Sequence, residues 1–297
     1  MFKIKKYIPD IVVAIILIAG IGLLAYPTIG DYINALHSSK AIGSYVEKTK
    51  DLSKEEKENL LREAREYNES LVGKVNRYYL NEEEKKRYAH ILDITKTGIM
   101  AYVEIPKLNI YMPVYHGTDE GVLQIAAGHL PGSSLPVGGE NTHSLISGHR
   151  GLPSAKLFTD IDKLKKGDLF FIHVFDEVLA YKVNQIKIVL PDDVETLEIE
   201  KGKDYVTLIT CTPYGVNSHR LLVRGERTVY KQSESKIEDM IKKNNLKYIM
   251  LTAGVILALI GMTVLVSVFL IKRRIKNTHL LTMNYFLRWL LSMLTCI

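Results

Sequence analysis

Val206-Thr207-Leu208-Ile209-Thr210-Cys211-Thr212-Pro213-Tyr214-Gly215, followed closely by Arg220-Leu221-Leu222-Val223-Arg224, is the stretch whose reading decides the fold. The two apolar runs suit strands, and Thr-Pro-Tyr-Gly between them is turn chemistry, so the pair reads as a β-hairpin. Closing that hairpin sets Cys211 and Arg220 opposite each other at its base. A guanidinium beside a thiol favours the thiolate and lowers a cysteine pKa below its usual ~8.5. The same group can hold a carbonyl oxygen as negative charge develops on it.

Outward from the hairpin, a period of two recurs over residues 100–105, 111–115, 144–147, 169–175, 179–189, 205–211 and 220–229. Pro106, Pro113, Gly138-Gly139, Gly167, Pro191 and Pro213 punctuate them. Seven or eight short strands without alternating long helices indicate a mainly β chain, a barrel or sandwich. A helical front precedes it. Ser53-Lys54-Glu55-Glu56 is a capping box, and Leu60, Ala64, Tyr67 and Leu71 follow at helical spacing, predicting a helix over residues 54–72. Residues 32–46 also read as helical, and the charged run 82–87 reads as a solvated helical face without assigned function.

The average composition, 47% hydrophobic with a net charge of +6, conceals two unusual segments. Residues 11–30 and 248–271 carry no charged side chain. At ~1.5 Å per residue each run covers a hydrocarbon core of ~30 Å, so two transmembrane helices are expected. Lys3, Lys5 and Lys6 precede the first run and Lys272, Arg273, Arg274 and Lys276 follow the second. The basic excess thus belongs to membrane flanks rather than to a nucleic-acid face, and membrane lipid is an expected partner. Both termini are expected in the cytoplasm, with residues 31–247 outside. A cleaved signal peptide, with small residues at Gly20-Ile21-Gly22, is the competing reading of the first run. The tail 278–297, apolar apart from Arg288 and containing Trp289, reads as an interfacial helix.

Two cysteines, Cys211 and Cys296, exclude a disulfide scaffold, and no Cys-x-x-Cys pair offers a zinc or dithiol site. No residue cluster calls for a metal or an organic cofactor. Cysteine chemistry therefore rests on one thiol, and Cys211 is the candidate because Cys296 lies in the apolar tail without a nearby histidine. A thiol nucleophile needs a proton carrier for its leaving group. His149, in Ser147-Gly148-His149-Arg150-Gly151, follows a strand in a glycine-flanked turn that admits substrate. On composition alone His129 and His143 compete with it, while His219 points to the opposite face of its strand from Arg220.

These residues resemble a known family. Thr210-Cys211 with the downstream Arg220 is similar to the signature of sortases, and Ser147-Gly148-His149-Arg150-Gly151 resembles their histidine loop. Ile105-Pro106-Lys107-Leu108, the segment from Gly128-His129 to Leu135-Pro136, and Ala155-Lys156-Leu157-Phe158 bring the likeness closest to class C, the pilin-polymerising sortases of Gram-positive bacteria. The resemblance covers residues 97–229 densely. It implies an eight-stranded sortase barrel in which Cys211 is the nucleophile, His149 the acid/base and Arg220 the oxyanion and positioning residue, with Thr210 and His129 in the substrate-binding wall. It further implies pilin or surface-protein precursors bearing a C-terminal Leu-Pro-x-Thr-Gly-like sorting signal, and an amine acceptor that is a pilin lysine or a cell-wall peptide. Class C chains carry an Asp-Pro-aromatic lid upstream of the barrel. Here Arg77-Tyr78-Tyr79-Leu80 stands at that place, making Tyr78 and Tyr79 the lid candidates without a neighbouring carboxylate to link to Arg220. The expected organisation is a cytoplasmic start 1–10, an anchor 11–30, a helical front and lid 31–97, a catalytic barrel 98–230, a linker 231–247, a second span 248–271 and a cytoplasmic tail 272–297.

Overall fold

In the computed structural model the described residues are 8–230, with Met250, Ala253, Gly254, Leu257 and Gly261 from the second apolar run. The expectations for the linker, most of that run, the tail and Cys296 lie outside the described residues. Helix α1 (Ile8–Asp51) carries the first uncharged run and continues without a break into the front. The anchor and the helical segment expected over 32–46 are thus one rod, with Gly20-Ile21-Gly22 inside it. Leu23 and Leu24 are 76% and 84% exposed, so the protein itself buries little of this face. Among the described residues α1 is the one helix long and apolar enough to cross a membrane.

Helix α2 (Lys54–Leu71) begins at the expected capping box, where Ser53 accepts from the Glu56 N–H and Glu56 accepts from the Ser53 N–H. Its buried stripe of Leu61, Ala64, Tyr67 and Leu71 joins the main core. Asn68 fixes α2 to the body through both of its amide atoms, donating to the Leu135 carbonyl at 3.1 Å and accepting from the Leu135 N–H at 2.6 Å. Tyr45 does the same for α1, donating to the Met100 carbonyl and accepting from the Phe175 N–H. Helix α3 (Glu82–His90) presents the charged run to solvent and starts on a second capping box, Asn81 with Glu84.

The body is a closed barrel of β1 (Ile99–Ile105), β2 (Ile110–His116), β3 (Ala127–His129), β4 (Thr142–Ser147), β5 (Leu169–Val174), β6 (Glu177–Val189), β7 (Asp204–Thr212) and β8 (His219–Arg227). Around the barrel the order is β1-β2-β3-β4-β7-β8-β6-β5. The β2–β3 and β4–β7 pairs are parallel and the rest antiparallel. A short helix α4 (Glu120–Leu123) leads into β3. Alternation along β7 and β8 sorts the side chains: Val206, Leu208, Leu221 and Val223 join the main core, while Ile209 and Leu222 form a second cluster with Leu145 and Leu197 on the other face. Cys211 shares the parity of Ile209, so it lies at the end of this second, outward apolar strip.

Candidate active site

The site is assembled by strand register. On β7 and β8 Cys211 pairs directly with Arg220, as the hairpin reading requires. The pairing continues one step further, Thr212 with His219, so the turn itself is residues 213–218. On the other side of β7, β4 runs parallel with Ser147 beside Ile209, and the ladder extends through the Gly148 N–H to the Ile209 carbonyl at 3.0 Å. Two residues beyond Ser147 and Ile209 stand His149 and Cys211. Cys211 and Arg220 therefore share one rung of two adjacent strands, ~4.8 Å apart, and His149, in the loop just past the end of β4, comes to the same end of the barrel to complete a reactive row.

Local chemistry holds each member. The Thr210 hydroxyl, buried, donates to the Gly148 carbonyl at 2.7 Å and so ties the cysteine strand to the histidine loop. A side chain at Gly148 would place its Cβ 2.6 Å from the Phe158 ring, so only glycine lets the loop close on that ring. The Phe158 N–H then donates to the His149 carbonyl at 3.1 Å. Arg150, ion-paired with Asp162, donates to the Thr212 hydroxyl at 3.3 Å. The Arg220 Nη1 donates to the carbonyls of Asn217 and His219 at 3.3 and 3.2 Å, which fixes one arm of the guanidinium. The remaining donors of its planar fork can serve a substrate oxygen. Cys211 is a free, partly exposed thiol.

Glu120, at the start of α4, was not read from the sequence as a site residue. One of its carboxylate oxygens lies 3.5 Å from His149 Nε2. The Gln124 amide holds the Glu120 carboxyl below its usual range against the opposing effect of desolvation, and the nearby imidazole adds to the lowering. Acidic residues ahead of an apolar run usually signal a helix start, so the sequence offered no reason to bring Glu120 to the histidine.

The three histidines that competed on composition separate cleanly. His129 is fully buried; its Nε2 meets the Ser134 carbonyl at 2.8 Å and its Nδ1 meets the Tyr88 hydroxyl at 2.9 Å. A carbonyl only accepts, so Nε2 carries the proton, and burial pushes the pKa down to about 3. His143 is likewise enclosed between the Glu198 carbonyl and the Thr207 hydroxyl, and burial lowers it to about 4. Only His149 reaches the row. His129 and Thr210, expected in the substrate-binding wall, are both buried, one bonded to Tyr88 of α3 and one bracing the histidine loop.

The two lid candidates also part. Tyr79 is 84% exposed. Tyr78 packs on the outward apolar strip of Leu145, Leu197, Ile209 and Leu222, with Leu130 and Val189 beside it, one alternation short of Cys211. Ring packing is not all that holds Tyr78, because Arg77 binds it as well. This buried guanidinium donates to the Tyr78 hydroxyl and to the Leu197 carbonyl, each at 2.7 Å, and lies 3.4 Å from a Glu198 oxygen. The loop between α2 and α3 is thereby fastened to the β6–β7 connection.

Comparison with known proteins agrees with this geometry. A family model described as the sortase domain matches residues 103–228. The crystal structure of sortase C1 from Streptococcus agalactiae is 49% identical, with a TM-score of 0.63 over 65% of this chain and 100% of that one. A sortase C from Streptococcus pneumoniae is 47% identical, with a TM-score of 0.59 over 65% of this chain and 99% of that one. A curated sortase A from Bacillus anthracis is 31% identical over 45% of this chain and 61% of its own length. The chain spans about three fifths of the curated relatives it matches, 61% for each of the first two. With an eight-stranded barrel of this order, a matched domain and near-complete coverage of solved class C structures, the chain belongs to the sortase family.

Proposed function

We propose that the protein is a class C sortase, a cysteine transpeptidase that works on sorting signals in pilus assembly. The observation that carries this reading is the pairing of Cys211 with Arg220 across β7 and β8, with the loop that bears His149 tied to β7 by the hydrogen bond from Thr210 to the Gly148 carbonyl. The Cys211 thiolate attacks the Thr-Gly carbonyl of a Leu-Pro-x-Thr-Gly-like signal, and Arg220 donates to the developing oxyanion. His149 gives its proton to the departing glycine amine as the carbon–nitrogen bond breaks, leaving a thioester on Cys211. An acceptor amine then attacks the thioester, losing its proton to His149, and an amide forms as the thiolate leaves. The chemistry uses side chains alone.

The acceptor in this reading is a pilin lysine, with a cell-wall peptide as the housekeeping alternative. Likeness to the S. pneumoniae sortase C, whose structure was described for its pilin substrate specificity, favours the first. The barrel faces the outside of the cell and both termini lie in the cytoplasm; the basic residues flanking the two apolar runs support that topology. Tethering donor, enzyme and acceptor to one bilayer raises their effective concentrations.

Mass spectrometry of the products formed from a sorting-signal peptide with a pilin-lysine peptide and with a cell-wall peptide tests the proposal. A new amide to the lysine peptide is the expected result. Release of free acid alone would make the chain a protease, and amide formation only with the cell-wall peptide would make it a housekeeping sortase. Turnover in Cys211→Ala would remove the mechanism altogether.

A further inference from the structure

The helix that carries the apolar run does not simply tether the barrel. It touches the loop that bears His149. Gly30, the last residue of the uncharged run, abuts Ser154 so closely that a Cβ there would come within 2.9 Å of the Ser154 carbonyl oxygen. The next residue, Asp31, is the first charge after the run, and its carboxylate accepts from the Lys156 N–H at 2.9 Å. The contact therefore falls at the point where the chain leaves hydrocarbon, if residues 11–30 fill the ~30 Å apolar layer. Headgroups occupy roughly another 5–7 Å on each side, so Ser154 and Lys156 lie at headgroup level.

From Ser154 the chain needs five residues to reach His149. At ~3.8 Å between successive Cα atoms this caps the separation at about 19 Å. The bridge between Leu152 and Ala155 folds the loop back and shortens it further. The turn between β7 and β8 lies over the same loop: the Tyr214 ring sits 3.2 Å from where a Cβ of Gly151 would be. Tyr214 is 61% exposed and Val216 69%, an aromatic and an aliphatic side chain uncovered by the protein beside the helix exit. Tyrosine rings favour the boundary between lipid and water.

We propose that the loop 151–156 and the turn 213–218 form a membrane-facing surface that rests on the headgroups of the bilayer crossed by α1. The reactive row then opens within one loop's length of the lipid. This places the site where a polypeptide still embedded in that bilayer first becomes accessible, and it rests on the reading of α1 as a membrane span rather than on the chemistry of Cys211.

The test is depth-dependent quenching on the full chain in vesicles of phosphatidylcholine and phosphatidylglycerol. In a Cys211→Ala, Cys296→Ala background, Ser154→Cys, Val216→Cys, Lys201→Cys and Leu24→Cys are each labelled with one environment-sensitive fluorophore. Lys201 precedes β7, and the turn 213–218 follows its last residue, Thr212, so the control lies roughly 30 Å along the strand from the proposed surface. Headgroup spin-labelled lipid should quench the labels at 154 and 216 several-fold more than that at 201, and bilayer-centre quencher should reach only the label at 24. If 24 is quenched while 154 and 216 respond no more than 201, the membrane-facing surface is refuted with the anchor intact. If 24 is not quenched, the span itself is refuted and the proposal with it.

Discussion

Thr210→Val tests the bracing of the histidine loop. The substitution keeps the branched shape and removes one buried hydroxyl whose hydrogen bond to the Gly148 carbonyl is 2.7 Å long. A typical intramolecular hydrogen bond contributes about 0.5–1.5 kcal/mol net, and leaving the carbonyl buried without its donor costs about 1–3 kcal/mol. The expected destabilisation is therefore about 1–3 kcal/mol. At about 2–4 °C per kcal/mol for a body of this size, Tm should fall by several degrees. Gly148 directly precedes His149, so the freed loop displaces the imidazole, and a shift near 1 Å costs up to ~10²-fold in rate. The assay pairs thermal melting of the detergent-solubilised full chain with steady-state acyl transfer from a sorting-signal peptide. A fall of about 10- to 100-fold in kcat with KM near the parent value, together with the lower Tm, is the expected outcome. A raised KM with kcat and Tm unchanged would show that Thr210 contacts substrate after all. No change in any of the three would show the brace to be idle.

The remaining predictions concern charge, lid and pH. Arg220→Lys keeps the charge but loses the planar fork that binds an oxygen while staying fixed to the turn, so kcat/KM should fall roughly 10²-fold or more, and near-parental turnover would refute the oxyanion role. Tyr78→Ala removes a hydroxyl–guanidinium bond and a ring contact, together about 1–3 kcal/mol, so a small thiol reagent should label Cys211 roughly 5- to 150-fold faster; an unchanged rate would show that Tyr78 does not gate the groove. His129 and His143 have folded pKa values of about 3 and about 4, against 6.5 unfolded. The unfolded chain therefore binds more protons between those values, so the stability their neutral forms contribute is complete above pH 6.5 and is lost progressively as pH falls toward 4 and 3. Imidazole resonances of both that titrate near pH 6.5 in the folded protein would contradict this.

Much of the site was legible because it depends on strand parity and on the hairpin. The pairing of Cys211 with Arg220 follows from two apolar runs and a turn, and alternation alone already places Thr210 on the face away from Cys211. Strand β3 escaped because a period of two cannot be detected in the three residues Ala127-Gly128-His129. The continuity of α1 escaped because a change in charge at Asp31 looks like a boundary, although a helix crosses from lipid to water without altering its backbone. Arg77 and Glu120 escaped because their roles come from tertiary approach: one reaches the β6–β7 connection from the front, the other reaches His149 from a helix of a single turn.

The rung that joins Cys211 to Arg220 has a consequence for how such an enzyme can be altered. Only one further pair, Thr212 with His219, separates that rung from the free turn 213–218. The ladder below fixes the backbone of the reactive pair, so side chains of the turn can be exchanged as long as the Asn217 carbonyl stays where it holds the Arg220 guanidinium. A single residue inserted within β7 or β8 on the barrel side of the rung would rotate one partner to the opposite face and separate thiol from guanidinium. The register of the reactive pair is thus set by the barrel rather than by its rim, and the exposed side chains of the turn are positions where new docking preferences can be built while the backbone that holds Arg220 is kept.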